Sequence, residues 1–178
     1  MSMWVFGYGS LLWNPGFEID DKQIGLMHGY ARSFCMRSIH HRGTPEHNGL
    51  VLALDEAQNS KCSGIAFRVA AEQANATVAY LRERELISSA YIEKVLQVRL
   101  EQGAFVPAYC YVIDPNHDQY CQLALENQAQ MIATAVGGRG PNTEYLYNTA
   151  LHLKELGLED PEMEWLVARV QQLASEAS

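Results

Sequence analysis

Residues 3–13, MWVFGYGSLLW, set a short apolar strand against a turn made of Gly7, Tyr8, Gly9 and Ser10. How this junction is read decides the fold class, because a strand followed by G-x-G can open a dinucleotide-binding α/β unit. Here Leu12 stands where that fingerprint needs its third small residue. WNPGFE then follows in place of the helix whose N-terminus would hold a pyrophosphate. The stretch is not G-x-S-x-G either, so Ser10 lacks the setting of a hydrolase nucleophile. Two readings remain for Gly7–Leu12. One is a tight turn that uses the freedom of glycine. The other is a concavity of successive N–H groups that binds an anion or a developing oxyanion.

Outward from the turn, strands come first and helices later. Residues 24–38 mix aromatic and β-compatible side chains and predict a long or bent strand. Residues 49–69 alternate around the turn-rich DEAQNSK at 55–61 and predict a hairpin. A second hairpin is expected over 91–114, with Gly103 at its turn and Pro107 at an edge or bulge. An alanine-rich helix without internal Gly or Pro fits 70–87. Further helices are expected over 118–136, over 142–156 with Asn142 or Thr143 as cap, and from Pro161 behind an Asp160 cap. This order argues for α+β rather than alternating α/β.

The chain has 178 residues, 48% hydrophobic and 19% charged, which suits one domain with a substantial core. Its net charge of −8 disfavours a nucleic-acid partner and leaves room for a small-molecule one. The four cysteines, Cys35, Cys62, Cys110 and Cys121, form no C-x-x-C, and the first residues lack a secretory leader's pattern. Buried, reduced thiols in a cytoplasmic protein are the expectation. No apolar run reaches membrane-spanning length, so no membrane partner is expected. Oligomeric state leaves no signal in the sequence.

Three other stretches carry chemistry. On a helical wheel of about 100° per residue, Ala74, Val78, Leu81 and Glu85 fall within a stripe of about 60°, while Glu83 falls opposite. A carboxylate on a core-facing stripe is costly unless paired, hydrogen-bonded or protonated. Burial would raise its pKa toward the range useful for proton transfer near neutrality. The alternative is a structural ion pair, for instance with Arg42 or Arg68. In SIHHRGTPEHNG at 38–49 the histidines match no metal-ligand spacing, so no metal is expected. Arg42 there offers a guanidinium suited to a substrate carboxylate. In GGRGPNTEYL at 137–146, Tyr145 in the first helical turn either projects its hydroxyl into a site or packs in the core with that hydroxyl satisfied.

Together WVFGYGSLLW, HRG at 41–43, AYLRERE at 79–85 and NTEYL at 142–146 resemble the ChaC-type glutathione-specific γ-glutamylcyclotransferase family, in that family's order and over most of the chain. The resemblance implies a single γ-glutamylcyclotransferase-like domain over 1–178, built on a small mixed β-barrel with flanking helices. It implies cleavage of glutathione to 5-oxoproline and cysteinylglycine without a cofactor. It places the catalytic glutamate at Glu85, the substrate-cradling turn at Gly7, Tyr8, Gly9, Ser10, Leu11 and Leu12, and a ligand-facing tyrosine at Tyr145. Two alternatives remain open beside it. One is a cyclotransferase acting on another γ-glutamyl amine or dipeptide; the other is a regulatory binding protein without catalysis.

Overall fold

The computed structural model describes residues 2–86 and 89–177. These group into two compact units, one formed by residues 1–33 and 53–117 and the other by 34–52 and 118–178. The fold is α+β, with a closed five-stranded barrel of mixed sense and four α-helices among the described residues.

The barrel strands are β1 (Met3–Gly7), β2 (Asp21–Ser38), β3 (Gly49–Val69), β4 (Tyr91–Leu100) and β5 (Phe105–Ile113), in spatial order β1-β3-β2-β4-β5. β1 pairs antiparallel with β3 and parallel with β5, which closes the ring. The first unit contains β1, β4, β5, most of β2 and β3, and α1 (Ala74–Glu85). Alternation along β5 sends Ala108, Cys110 and Val112 into the interior, where they meet Phe6, Met27, Leu54, Ala66 and Val98. β4 and β5 form the expected hairpin around Gly103. Pro107 pairs with Gln97 on β4, just ahead of Ala108 and Tyr109, which pair with β1, so the residue without an N–H sits at the end of the β1 ladder.

Residues 49–69 are a correction. They form one strand, not a hairpin. Ile65–Val69 pair with β1, and β3 lies between β1 and β2 in the barrel. Sheet pairing overrides the turn composition of 55–61. Asn59 adopts a left-handed φ of 70°, which Asn tolerates, inside a strand that runs on in both directions. The first helix is shorter than expected: a 3-10 turn at Ala71–Gln73 precedes α1, and α1 ends at Glu85. Ile87, the expected helix end, lies outside the described residues.

The second unit holds the remaining parts of β2 and β3 with α2 (Leu125–Thr134), the small hairpin β6 (Val136–Gly137) and β7 (Gly140–Pro141), α3 (Asn142–Glu155) and α4 (Pro161–Glu176). α2 packs against α3 and α4, burying Ile132, Leu146, Leu153, Leu166 and Val170. The Asp160 cap forms as expected, its Oδ1 accepting from the Met163 amide at 3.1 Å with Pro161 in the first turn. The helix expected over 118–136 is confined to α2. Ahead of it β2 claims the backbone: Arg37 N–H donates to the Gln119 carbonyl, Cys121 N–H donates to Cys35, and Met36 bridges Tyr120. Behind it Val136 and Gly137 pair with β7.

Asn142 is not a side-chain cap. Fully buried, it accepts from the Leu50 amide at 2.8 Å and donates to the Leu50 carbonyl at 2.9 Å, so it acts as a strand partner for β3. All four cysteines are free and buried. No helix among the described residues is long and apolar enough to cross a membrane.

Candidate active site

β1 delivers the chain into the glycine turn at Gly7. A Cβ on Gly7 would lie 2.9 Å from the Phe67 ring and 3.1 Å from Leu11 Cβ, so only glycine lets the turn fold back this closely. Ser10–Leu12 form a single 3-10 turn. The Leu12 amide donates to the Gly9 carbonyl at 2.9 Å and is spent inside the turn. Among the described residues the amides of Gly9, Ser10 and Leu11 donate to no protein acceptor, as expected at the open start of a helical turn. The side chains of Leu11 and Leu12 are buried. Tyr8 points into the barrel core, and its hydroxyl donates to the Tyr111 carbonyl at 2.7 Å.

A buried cation braces this turn. Arg32, 8% exposed, donates through Nε to the Tyr8 carbonyl at 2.7 Å and through a terminal nitrogen to the Ser63 carbonyl. Hydrogen bonds from a charged donor to buried carbonyls are among the stronger ones available.

Glu85 closes α1. Leu81, on the same stripe, is buried, and the Glu85 side chain is 17% exposed, whereas Glu83 faces solvent. Burial pushes the Glu85 carboxyl above the usual glutamate range, opposed by the Arg84 charge. Its counter-charge is Arg84 Nε at 3.4 Å. Arg68 instead pairs with Asp20 at 3.0 Å. Arg84 also donates to the Ser10 hydroxyl oxygen at 3.0 Å and to the carbonyls of Asn14 and Pro15 at 2.7 and 3.2 Å. Beside these contacts Gly16, at φ 77°, abuts the Tyr80 hydroxyl, where any Cβ would collide.

A second carboxylate lies on the same unit. Glu93 on β4 is directly opposite Tyr111 on β5. It accepts from the Tyr111 hydroxyl at 2.8 Å and from a two-nitrogen fork of Arg82 at 3.0 Å each. Those bonds hold Glu93 below the usual range, the Arg82 contact foremost.

Arg42 and Tyr145 belong to the second unit, where they meet each other: the guanidinium carbon sits 5.8 Å from the Tyr145 ring centre. Arg42 donates to the Pro141 carbonyl at 3.1 Å and lies 3.6 Å from Glu144. The Tyr145 hydroxyl oxygen accepts from the Leu52 amide at 3.1 Å, and its ring meets Phe34 edge-on. The Tyr145 hydroxyl is thus partnered, while its side chain stays half-buried. Nearby His41 titrates below the usual histidine value, through burial and then the charges of Arg139, His40 and Arg42.

With this geometry fixed, the similarity to known proteins is decisive. The family model described as ChaC-like protein matches residues 3–173. The chain belongs to the ChaC-like family. The glutathione-specific γ-glutamylcyclotransferase of Escherichia coli K12 is 34% identical over 175 residues, spanning 98% of this chain and 75% of the relative. The γ-glutamylcyclotransferase 2-3 of Arabidopsis thaliana is 32% identical over 184 residues, spanning 99% and 92%. A crystal structure of a γ-glutamylcyclotransferase specific to glutathione from yeast superposes with a TM-score of 0.84 at 21% identity, over 98% of this chain and all of that one. This last likeness places the ChaC-like chain in the γ-glutamylcyclotransferase fold.

Two residues of the site escape a reading of motifs. Arg32 had a signal: Tyr30, Arg32 and Phe34 share one phase of β2 and all are buried, so a cation stood on a core-facing period of two. Arg84 had a weaker one, because its role depends on where the loop at Asn14–Gly16 returns, and that is a tertiary fact.

Proposed function

We propose that this ChaC-like chain is a γ-glutamylcyclotransferase that cleaves glutathione to 5-oxoproline and cysteinylglycine, with Glu85 as the proton carrier and Gly7–Leu12 as the cradle. One observation carries the reading. Within one unit, a turn with three undonated amides and a carboxylate raised by burial are linked through a single arginine. The name of the Escherichia coli relative, 34% identical over 98% of the chain, supports the substrate, and that of the Arabidopsis relative supports the reaction.

The γ-glutamyl group brings its own nucleophile. Glu85 takes a proton from the α-ammonium, and the freed amine attacks the γ-carbonyl carbon to form the ring C–N bond. The Gly9, Ser10 and Leu11 amides are the donors for the oxyanion or for the glutamyl α-carboxylate. The bond to the cysteinyl nitrogen then breaks as protonated Glu85 gives its proton to the leaving nitrogen; the second proton of the ring nitrogen passes through the same carboxylate to the freed amine, leaving a neutral lactam and an ammonium. No water is consumed. Holding the glutamyl chain bent supplies up to about 7–11 kcal/mol, because the reaction is intramolecular. The scheme uses no cofactor. Arg42, oriented by the Tyr145 ring, is the proposed partner of a substrate carboxylate.

The family match over residues 3–173 supports one functional domain, and the pattern of free, buried cysteines supports a cytoplasmic location. The test is purified protein with reduced glutathione, measuring both 5-oxoproline and cysteinylglycine. Equimolar release of the two is expected. Turnover of a γ-glutamyl amine or dipeptide panel with glutathione left intact would overturn the substrate, and no turnover of any of them would overturn the activity.

A further inference from the structure

Arg84 touches both parts of the proposed site. Its terminal nitrogens hold Ser10 Oγ and the Asn14 and Pro15 carbonyls, while Nε faces Glu85 Oε1 at 3.4 Å. Tyr80, one turn earlier on α1, adds its hydroxyl oxygen at 3.2 Å. Successive residues of a helix do not normally face one another. Here the pair forms at the last residue of α1, with Arg84 and Glu85 both largely buried.

We propose that Arg84 is a positioning residue that fixes the Glu85 carboxylate against the Gly7–Leu12 turn and supplies its counter-charge. The inference rests on the proposed role of Glu85. A guanidinium is a rigid planar fork, so one group sets the spacing between carboxylate and turn. A lysine ammonium cannot occupy both the Glu85 edge and the Ser10–Asn14 edge.

The electrostatic surroundings support the assignment. The Glu85 charge acts on the Cys110 thiol and the Tyr111 phenol of β5, both pushed up mainly by burial and neutral near pH 7. Cys62 on β3 acts on Cys110 and is buried as well. Glu93 on β4 is engaged by Arg82 and Tyr111. Burial raises Glu85 and the Arg84 charge opposes it, so Arg84 favours the ionised carboxylate.

The test follows the Glu85 carboxyl directly, by carbon NMR titration of glutamate-labelled protein, alongside KM and kcat for 5-oxoproline release from glutathione. The Glu85→Gln variant assigns the resonance. Arg84→Met is expected to move the Glu85 titration up by about one pH unit and to raise KM. Arg84→Lys is expected to keep the titration near the native value while still raising KM several-fold. If Arg84→Met does not fold, Arg84→Gln carries the same expectation for the titration. A native melting midpoint with an unmoved Glu85 titration, or equal shifts in the Met and Lys variants, overturns the proposal. Failure of the Glu85 assignment looks different: Glu85→Gln would then retain turnover, whatever the titration does in the Arg84 variants.

Discussion

Two glutamates, Glu85 at the end of α1 and Glu93 early in β4, show almost the same side-chain surface, 17% and 19%. Their carboxyls nevertheless move in opposite directions. At Glu85 desolvation leads, and one arginine stands 3.4 Å away. At Glu93 a two-nitrogen fork and a phenol hydroxyl outweigh desolvation. Similar side-chain surface thus does not fix how a carboxylate titrates: Glu85 lies deeper and is desolvated more, while Glu93 gains hydrogen bonds to its charged form. Glu93 is spent on holding α1 to the barrel strands, and Glu85 is left able to exchange a proton.

Exchanging each carboxylate for its amide is the strongest way to break this contrast. Glu85→Gln should fold, bind glutathione and lose about 10²- to 10⁴-fold in turnover, read as cysteinylglycine release. Glu93→Gln should keep turnover within a few-fold but lower the melting midpoint at pH 7 by several degrees, because the Arg82 and Tyr111 bonds lose their charged acceptor.

The pH dependence of stability should separate the two with opposite signs. Glu85 is raised in the folded state, so its contribution is fully present below the unfolded glutamate value and is lost as pH rises through the raised value. Glu85→Gln should therefore melt a few degrees above the native protein at pH 8, with the gap closing under acid conditions. Glu93 is lowered in the folded state, so its contribution is present above the unfolded value and is lost as pH falls through the lowered one. The Glu93→Gln deficit should shrink in acid. Midpoints that shift in the same direction for both variants at pH 8 would erase the contrast.

Smaller changes sharpen it. Arg82→Met removes the fork and should let the Glu93 carboxyl titrate upward, toward the behaviour of Glu85, in a carbon NMR titration. Least of all, Glu83→Gln, on the solvent side of the same helix, should alter stability by less than about 0.5 kcal/mol and leave turnover unchanged. A dead Glu83→Gln enzyme would mean that the proton carrier had been taken from the wrong face of α1.

Much of the candidate site was legible because its placement depends on local periodicity. The wheel put Glu85 beside Leu81 and Glu83 opposite, and the helix kept that arrangement. The strand-glycine-turn junction is likewise local, and its failure as a nucleotide loop followed from Leu12 and from WNPGFE standing where a helix would begin. The structural alternatives named for Glu85, Arg42 and Arg68, were drawn from charge without distance. Arg68 reaches Asp20, while the neighbouring Arg84 takes the place beside Glu85. The hairpin expected at 55–61 failed for the opposite reason: a turn-rich composition competes with cross-strand pairing, and in β3 the pairing prevails.

The sequence by itself determined the α+β class, the turn at Gly7–Leu12, the helix that carries Glu85 and the cap at Asp160, since each follows from neighbours a few residues apart. The tertiary structure alone decided that Arg32 would hold the Tyr8 carbonyl, that Tyr8 and Glu93 would both bond to Tyr111, and that Arg84 would reach the turn 74 residues before it. The reason is physical. Periodicity assigns a side chain to a face, but a hydrogen bond requires about 3 Å between atoms of distant segments. Only barrel closure and the docking of α1 bring those segments together.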